Sequence, residues 1–209
     1  MLEVPIYNTD GQKTGSLQVD EQSFGGEVNV SLLKQAIVTY HANRRQGTVA
    51  TKGRGDVAGS TRKLYNQKHT GNARRGNIRT NIMRGGGMAF GKRPRDFRKG
   101  FPRGMRRAAL DSAILAKLLG NDLLVVDGLK IEAPKTRAVV GLMRNLKIER
   151  SCLLTLAERD RNVYLSSRNL PNVTVMTARE LNAFDVATRQ KMLVTSDAMK
   201  ALMGREAQQ

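Results

Sequence analysis

Hydrophobic residues recur with a clear period at both ends of the chain, whereas the middle of the chain has none. Val4–Tyr7 and Gly15–Val19 flank Asp10 and Gly11, a dipeptide that favours a tight turn between two strands. From Ser31 to about Arg45 apolar residues recur at helical spacing, and the Ser31 hydroxyl can cap this helix. The N-terminal segment therefore predicts a β-hairpin followed by a helix.

The C-terminal half predicts alternating helices and strands. A helical stripe begins at about Gly104 and ends at Gly120, a position where glycine typically takes a positive φ. Four continuous apolar runs follow, as expected for strands buried on both faces: Leu123–Val126, Cys152–Leu156, Val173–Met176 and Met192–Thr195. Further helices are predicted at about Pro134–Leu146, Glu158–Ser167, Ala178–Leu181 and, capped by Ser196 or Asp197, up to Gly204. We therefore predict an α/β fold in three layers, with a mostly parallel sheet and helices on both of its faces.

The stretch without period changes this picture because it concentrates the charge. Residues 44–107 hold nineteen Lys and Arg but only two acids, Asp56 and Asp96, and so account for +17 of the net charge of +18. The same residues include twelve of the twenty glycines. Since no core can hold so much charge, we predict a long, extended, Arg- and Gly-rich arm over residues 46–103. It is inserted between the first two helices of a single globular body formed by residues 1–45 and 104–209, and we expect it to be disordered in the free protein.

Several functional classes are disfavoured by the composition. No apolar run approaches the ~18 residues of a membrane span, and the N-terminus lacks the basic and apolar regions of a signal peptide, so we expect a cytoplasmic protein. Cys152, the single cysteine, lies in an apolar run and is expected to be a buried, inert thiol. Gly53–Ala58 matches the dinucleotide fingerprint G-x-G-x-x-A, but its flanks lack the strand and helix that such a site needs. We expect no metal, no cofactor and no catalytic residues.

The chemistry of the arm suits RNA. Lysine and arginine side chains neutralise phosphates and release counterions, while glycine lets the backbone approach phosphate closely. Aromatic residues interleaved with the basic ones can stack on unpaired bases: Tyr65, Phe90, Phe97 and Phe101. A long flexible arm fits irregular RNA cavities better than a regular duplex groove, and no helix-turn-helix or zinc module is visible in the sequence.

Short motifs in the arm and beside it carry a resemblance to a known family. In the arm and at its N-terminal junction they are Arg45-Gln-Gly-Thr48, Gln67-Lys-His-Thr-Gly-Asn-Ala-Arg74, Arg84-Gly-Gly-Gly87 and Arg93-Pro94. Outside it, Glu132-Ala-Pro-Lys-Thr136 and Leu193-Val-Thr-Ser-Asp-Ala198 agree in order. With these motifs the chain resembles, over essentially its full length, bacterial large-subunit ribosomal protein four, the L-four family.

The resemblance implies a globular body on the outside of the large subunit, bound to 23S rRNA, and a long loop that runs inward. The tip of that loop helps to line a narrow part of the peptide exit tunnel. By residue match the tip comprises Arg62, Lys63, Leu64, Tyr65, Asn66, Gln67 and Lys68. The family usually has Pro, Trp, Arg, Gly and Arg where this chain has Leu64, Tyr65, Asn66, His69 and Asn72. These departures remove two positive charges and one rigid φ from the tip region.

We predict RNA contacts by basic, polar and glycine residues of the arm and its root. They are Arg44, Arg45, Gln46, Gly47, Thr48, Lys52, Arg54, Arg62, Lys63, Tyr65, Gln67, Lys68, His69, Thr70, Gly71, Arg74, Arg75, Arg79, Arg84, Gly85, Gly86, Gly87, Lys92, Arg93, Pro94, Arg95, Arg98, Lys99, Arg103, Arg106 and Arg107. The expected partners are 23S rRNA and neighbouring large-subunit proteins, within the cytoplasmic ribosome. We expect no membrane, no small-molecule substrate and no homo-oligomer.

Two other functions remain open from the residues alone. An α/β enzyme acting on RNA needs acids or histidines at the carboxyl ends of its strands, where Asp127 and Asp197 follow two of the apolar runs. Asp127 can instead begin a turn with Gly128, and Asp197 can cap a helix. A free mRNA-binding regulator would use the same arm with a different RNA.

Overall fold

The predicted α/β fold is confirmed. The computed structural model describes residues 1–204, and its six strands form one sheet in the order β2-β1-β3-β6-β4-β5. The strands are β1 (Leu2–Tyr7), β2 (Lys13–Val19), β3 (Leu123–Val126), β4 (Cys152–Leu156), β5 (Val173–Thr177) and β6 (Lys191–Thr195). Every neighbouring pair is parallel except the hairpin of β1 and β2, which lies at one edge.

Helices cover both faces of the sheet. They are α1 (Val30–Asn43), α2 (Arg103–Leu119), α3 (Thr136–Asn145), α4 (Arg161–Ser167), α5 (Ala183–Thr188) and α6 (Ser196–Met203), with a short 3-10 helix at Glu21–Phe24. Residues of α1, α2, α5 and α6 form one buried apolar cluster, and residues of α3 and α4 form a second. The central strands supply alternate residues to the two clusters: Val194 and Val125 to the first, Leu193 and Val126 to the second. This alternation places the sheet as the middle of three layers.

The helix expected at Ala178–Leu181 lies five residues later, and the local hydrogen bonds explain the shift. The amide of Ala178 donates to the carbonyl of Leu156, which keeps the chain beside the sheet. The Glu180 carboxylate then accepts from the Thr177 hydroxyl in a turn. Helix α5 begins only at Ala183, after Asn182 has capped it through the Asp185 amide.

Three predicted helix ends also differ by a residue or two. Asn29 rather than Ser31 caps α1, because its side-chain oxygen accepts from the Leu32 amide. Thr195 rather than Ser196 or Asp197 caps α6. Gly120 has a φ of −79°, and the left-handed conformation falls on Asn121, with a φ of 52°. In each case a neighbouring Asn or Thr takes the capping or left-handed role that the sequence pattern assigns to a nearby residue.

Contacts divide the structure into two compact units. The first contains Met1–His41 and the residues from Lys99 onward, and the second contains Ala42–Arg98. We call the second unit the basic loop. Independent folding of the body without the arm stays a prediction. No helix within residues 1–204 is long and apolar enough to cross a membrane.

Candidate nucleic-acid interface

The basic loop is a chain reversal whose two legs are hydrogen-bonded to each other. Within it, the described residues 44–98 form no helix or strand. Backbone amides donate across the legs with N···O distances of 2.9 to 3.1 Å: Arg95 to Gly47, Thr51 to Lys92, Met88 to Lys52 and Leu64 to Gly76. Residues nearly fifty positions apart in sequence are therefore held side by side, although no regular element contains them.

The cations of this region lie at the surface. Of the nineteen Lys and Arg residues between 44 and 107, all but Arg75 and Arg79 are exposed, and those two are half-buried. The two acids serve local turns: the Asp56 carboxylate accepts from the Gly53 amide at 3.0 Å, and the Asp96 carboxylate accepts from the Arg98 amide at 2.8 Å. The arginines and lysines predicted from the sequence thus form an exposed cationic surface along the loop, suited to a polyanion.

The legs meet in a neck, which we define as residues 43–48 and 94–98. The guanidinium carbons of Arg45 and Arg95 lie 3.9 and 4.4 Å from the ring centroid of Phe97. Gly47 has a φ of 74°, and a Cβ there would collide with the Arg95 carbonyl. The close approach of the legs therefore requires glycine at this position.

The residues of the neck also line an open groove of about 530 Å³. Four predicted RNA-binding arginines line it: Arg44, Arg45, Arg95 and Arg98. Phe97, which holds two of these cations in place, was expected only as a base-stacking residue. Its pairing with Arg45 spans more than fifty residues, and no spacing or motif in the sequence signals it.

Five of the seven predicted tip residues line a second groove, of about 560 Å³. It is lined by Ser60, Arg62, Lys63, Leu64, Tyr65, Asn66 and Ile78. Internal contacts shape it: the Lys63 ammonium donates to the Gln67 side-chain oxygen at 2.8 Å and to the Arg75 carbonyl at 3.0 Å. The Tyr65 hydroxyl donates to the Ala73 carbonyl. Lys63 and Tyr65 thus use part of their hydrogen-bonding capacity to hold the tip together.

One of the departures from the family pattern has a visible backbone consequence. His69 adopts a φ of 66°, in the left-handed region where glycine, the residue usual in the family, sits without strain. The His69 side chain is exposed beside Thr70, also a predicted contact. The left-handed conformation of His69, a residue with a Cβ, therefore carries some backbone strain.

Gly87, the last residue of the glycine triplet 85–87, has a packing role inside the protein that the sequence does not suggest. We expected it to let the backbone approach phosphate. Gly87 is buried, and a Cβ there would collide with the backbone of Gly53 and Arg54, while its contact with RNA stays a prediction. The close packing that Gly87 permits is between the two legs of the loop itself.

The root of the predicted arm supplies further cations in the first turns of α2. Arg103, Arg106 and Arg107 are all exposed. The Arg106 guanidinium Nε donates to the Phe101 carbonyl at 3.0 Å, which fixes its direction. Phe101 itself packs edge-to-face against Tyr40, with ring centroids 6.3 Å apart.

The two acids that an RNA-acting enzyme would need, Asp127 and Asp197, have local roles within the described residues 1–204. The Asp127 carboxylate accepts from the Ser196 hydroxyl at 2.9 Å and from the Gly128 amide at 3.0 Å, so it serves as the turn residue we expected. Asp197 is exposed and lies 3.9 Å from Lys200 on the same helix. In this described part of the chain, no three His, Cys, Asp or Glu side chains form a possible metal site.

Among the described residues, two groups have clearly shifted pKa values; both lie in the body rather than in the basic loop, and burial explains both shifts. Burial raises the pKa of the Cys152 thiol to about 12, which fits the inert thiol predicted from its apolar run. Burial also lowers the pKa of Lys117, and the neighbouring Asp122 carboxylate opposes that shift. Packing in the body therefore accounts for both shifts without a catalytic role.

Comparison with known proteins agrees with the motifs in the loop. Residues 17–205 match the family described as "Ribosomal protein L4/L1 family". The large ribosomal subunit protein uL4 of Symbiobacterium thermophilum is 45% identical over 199 residues, which cover 95% of this chain and 96% of that protein. The proteins of the same name from Pelotomaculum thermopropionicum and Moorella thermoacetica are 44% and 42% identical with the same coverage. Since the match runs through both the α/β unit and the basic loop, the resemblance predicted from the loop motifs is confirmed, and the chain belongs to the ribosomal protein L4/L1 family.

Proposed function

We propose that this protein is a structural constituent of the large ribosomal subunit that binds 23S rRNA through its basic loop and the root of α2. The observation that carries the proposal is the exposure of nearly all the cations of residues 44–107 on a segment that contains only two acids. Such a surface attracts a polyanion, and membership of a ribosomal family supports rRNA as that polyanion. The family consists of structural components, so the function is not enzymatic.

The mechanism we propose is assembly coupled to charge neutralisation. Each phosphate contact releases condensed counterions, which offsets the entropy of ordering the loop. The neck groove, with Arg45 and Arg95 held against Phe97, presents guanidinium groups in fixed positions, which reduces the ordering that binding requires. RNA that closes around the loop in this way supports subunit assembly.

The loop tip is proposed to reach toward the peptide exit tunnel. This step rests on the family resemblance of residues 62–68, several of whose side chains surround the second groove. Neighbouring large-subunit proteins are proposed as further partners, in a ribosome that is cytoplasmic if the source is bacterial.

In-cell ultraviolet crosslinking, followed by sequencing of the attached RNA, tests the proposal. We expect crosslinks at a few sites of large-subunit rRNA, made mainly through residues 46–103. Crosslinks spread over many transcripts would instead support a free mRNA-binding regulator. The absence of rRNA crosslinks would refute the ribosomal role.

A salt titration of binding to purified rRNA tests the proposed phosphate contacts. Arg62, Arg74 and Arg84 are exposed loop arginines. Replacing all three with Ala should flatten the slope of log affinity against log salt by about 0.7–0.9 for each phosphate that is no longer neutralised. As a matched control, replacing three exposed arginines of the body, Arg144, Arg159 and Arg179, should change the slope less. Equal slopes for the wild type and the loop variant would mean that these arginines do not touch phosphate.

A further inference from the structure

Phe90 is the exposed aromatic residue of the basic loop. Its side chain is 97% exposed, more than any other large apolar residue within residues 1–204. Phe97 lies between two guanidinium groups, and the Tyr65 hydroxyl is bonded to the Ala73 carbonyl. Of the aromatic residues expected to stack on bases, the structure therefore leaves one ring entirely open.

The turn that presents Phe90 is fixed at both ends. Before it, the Met88 amide donates to the Lys52 carbonyl at 2.9 Å. After it, the Lys92 amide donates to the Thr51 hydroxyl at 2.7 Å, and the Lys92 carbonyl accepts from the Thr51 amide at 2.9 Å. Because the backbone on each side is already ordered, a ligand that covers the ring needs to fix little more than the side chain.

The surroundings of the turn select the chemistry of that ligand. Lys52, Lys92 and Arg93 are exposed near Phe90 in the hydrogen-bonded legs, and no acid occurs between residues 57 and 95. A partner must therefore combine negative charge with a flat apolar face. An unpaired nucleotide has both, because its phosphate suits the cations and its base suits the ring. An apolar protein surface would satisfy the ring and leave three cations unneutralised.

We infer that Phe90 is a stacking platform for an unpaired nucleobase of the RNA held by the basic loop. The inference rests on the proposed function and adds to it a contact by shape and stacking rather than by charge. In this role Phe90 differs from Phe97 and Tyr65, whose contacts are internal to the protein.

The sequence offers a direct reporter for this contact, because the chain contains no tryptophan. Phe90→Trp creates a single indole at the site, and stacking on a base quenches indole emission. We expect emission of the Phe90→Trp protein to be quenched on titration with purified large-subunit rRNA. A matched replacement in the body, Tyr164→Trp on α4, should be quenched less. Equal quenching at both positions, or none at position 90, would overturn the inference.

Affinity measurements separate this inference from the proposed function. Phe90→Ala should weaken rRNA binding by about 5- to 160-fold, the usual effect of removing one stacked base, without changing the salt slope. Ile82→Ala removes another exposed apolar side chain of the loop and should change affinity less. If the wild type binds rRNA and Phe90→Ala binds equally well, the stacking inference alone fails. If the wild type does not bind rRNA, the proposed function fails first.

Discussion

The neck of the basic loop should depend on the ring of Phe97. Phe97→Ala removes the surface against which the Arg45 and Arg95 guanidinium groups lie, at 3.9 and 4.4 Å from the ring centroid. An exposed cation–π contact contributes about 0.5–1 kcal/mol, so two contacts contribute about 1–2 kcal/mol to closing the neck. Local opening should therefore become about 5- to 30-fold more frequent in the variant, at about 1.4 kcal/mol for each factor of ten.

Hydrogen exchange at the Arg95 amide measures this opening directly, because that amide donates to the Gly47 carbonyl across the neck at 3.1 Å. In the free wild-type protein this hydrogen bond predicts a protected amide, in contrast to the disorder that the composition of the loop predicts. In Phe97→Ala its exchange should accelerate by the factor given above. Phe97→Tyr keeps the aromatic face and should exchange near the wild-type rate, whereas Phe97→Leu keeps apolar volume without the face and should resemble the alanine variant.

Two results would refute this reasoning. An Arg95 amide that exchanges at the same rate in Phe97→Ala and in the wild type would mean that the ring does not stabilise the neck. An Arg95 amide without protection in the wild type would mean that the neck closes only with a ligand, as expected for a loop disordered in the free protein.

Three further predictions concern the body. Deleting residues 48–99 and joining the ends with a short linker should leave an α/β circular-dichroism spectrum with cooperative unfolding, and disappearance of that spectrum would show that the body needs the loop. Thr155→Val should raise the free energy of unfolding, measured in urea, by about 1 kcal/mol, because the Thr155 hydroxyl is buried without a hydrogen-bond partner. A decrease would instead indicate that this hydroxyl forms a hydrogen bond to a buried water molecule. Cys152 should resist aromatic disulfide reagents at pH 8 until the protein unfolds, because its pKa of about 12 keeps the thiol protonated and its side chain is buried. Fast labelling of the native protein would contradict this burial.

The sequence predicted best those elements whose signals are local. The run Cys152–Leu156 is continuous and apolar because it lies between two layers, and the strand has the predicted bounds. The Asp-Gly turn between β1 and β2 was likewise visible in a few residues. The start of α5 was missed because a side-chain hydrogen bond at Thr177 competes with helix formation. Composition predicted the charge of the loop and the class of ligand that suits it.

The internal architecture of the loop could not be predicted in the same way. The contact of Arg45 with Phe97 and the packing of Gly87 on Arg54 join positions far apart in sequence. No periodicity links such positions. Arginine, phenylalanine and glycine in a basic segment are also the residue types expected to contact RNA, so their internal contacts are not visible in the composition. Only the folded path of the chain shows which of them act on the protein itself.

The position of β6 in the sheet has a consequence for synthesis. This strand is the last of the six in sequence, yet it pairs with both β3 and β4 and so joins the two halves of the sheet. At about 5–20 residues per second, the roughly 90 residues from Arg107 to Thr195 take on the order of 5 to 20 s to translate. During that interval the nascent chain displays its cationic segment while its sheet is still incomplete, and a polyanion bound early would shield that segment before the body has folded.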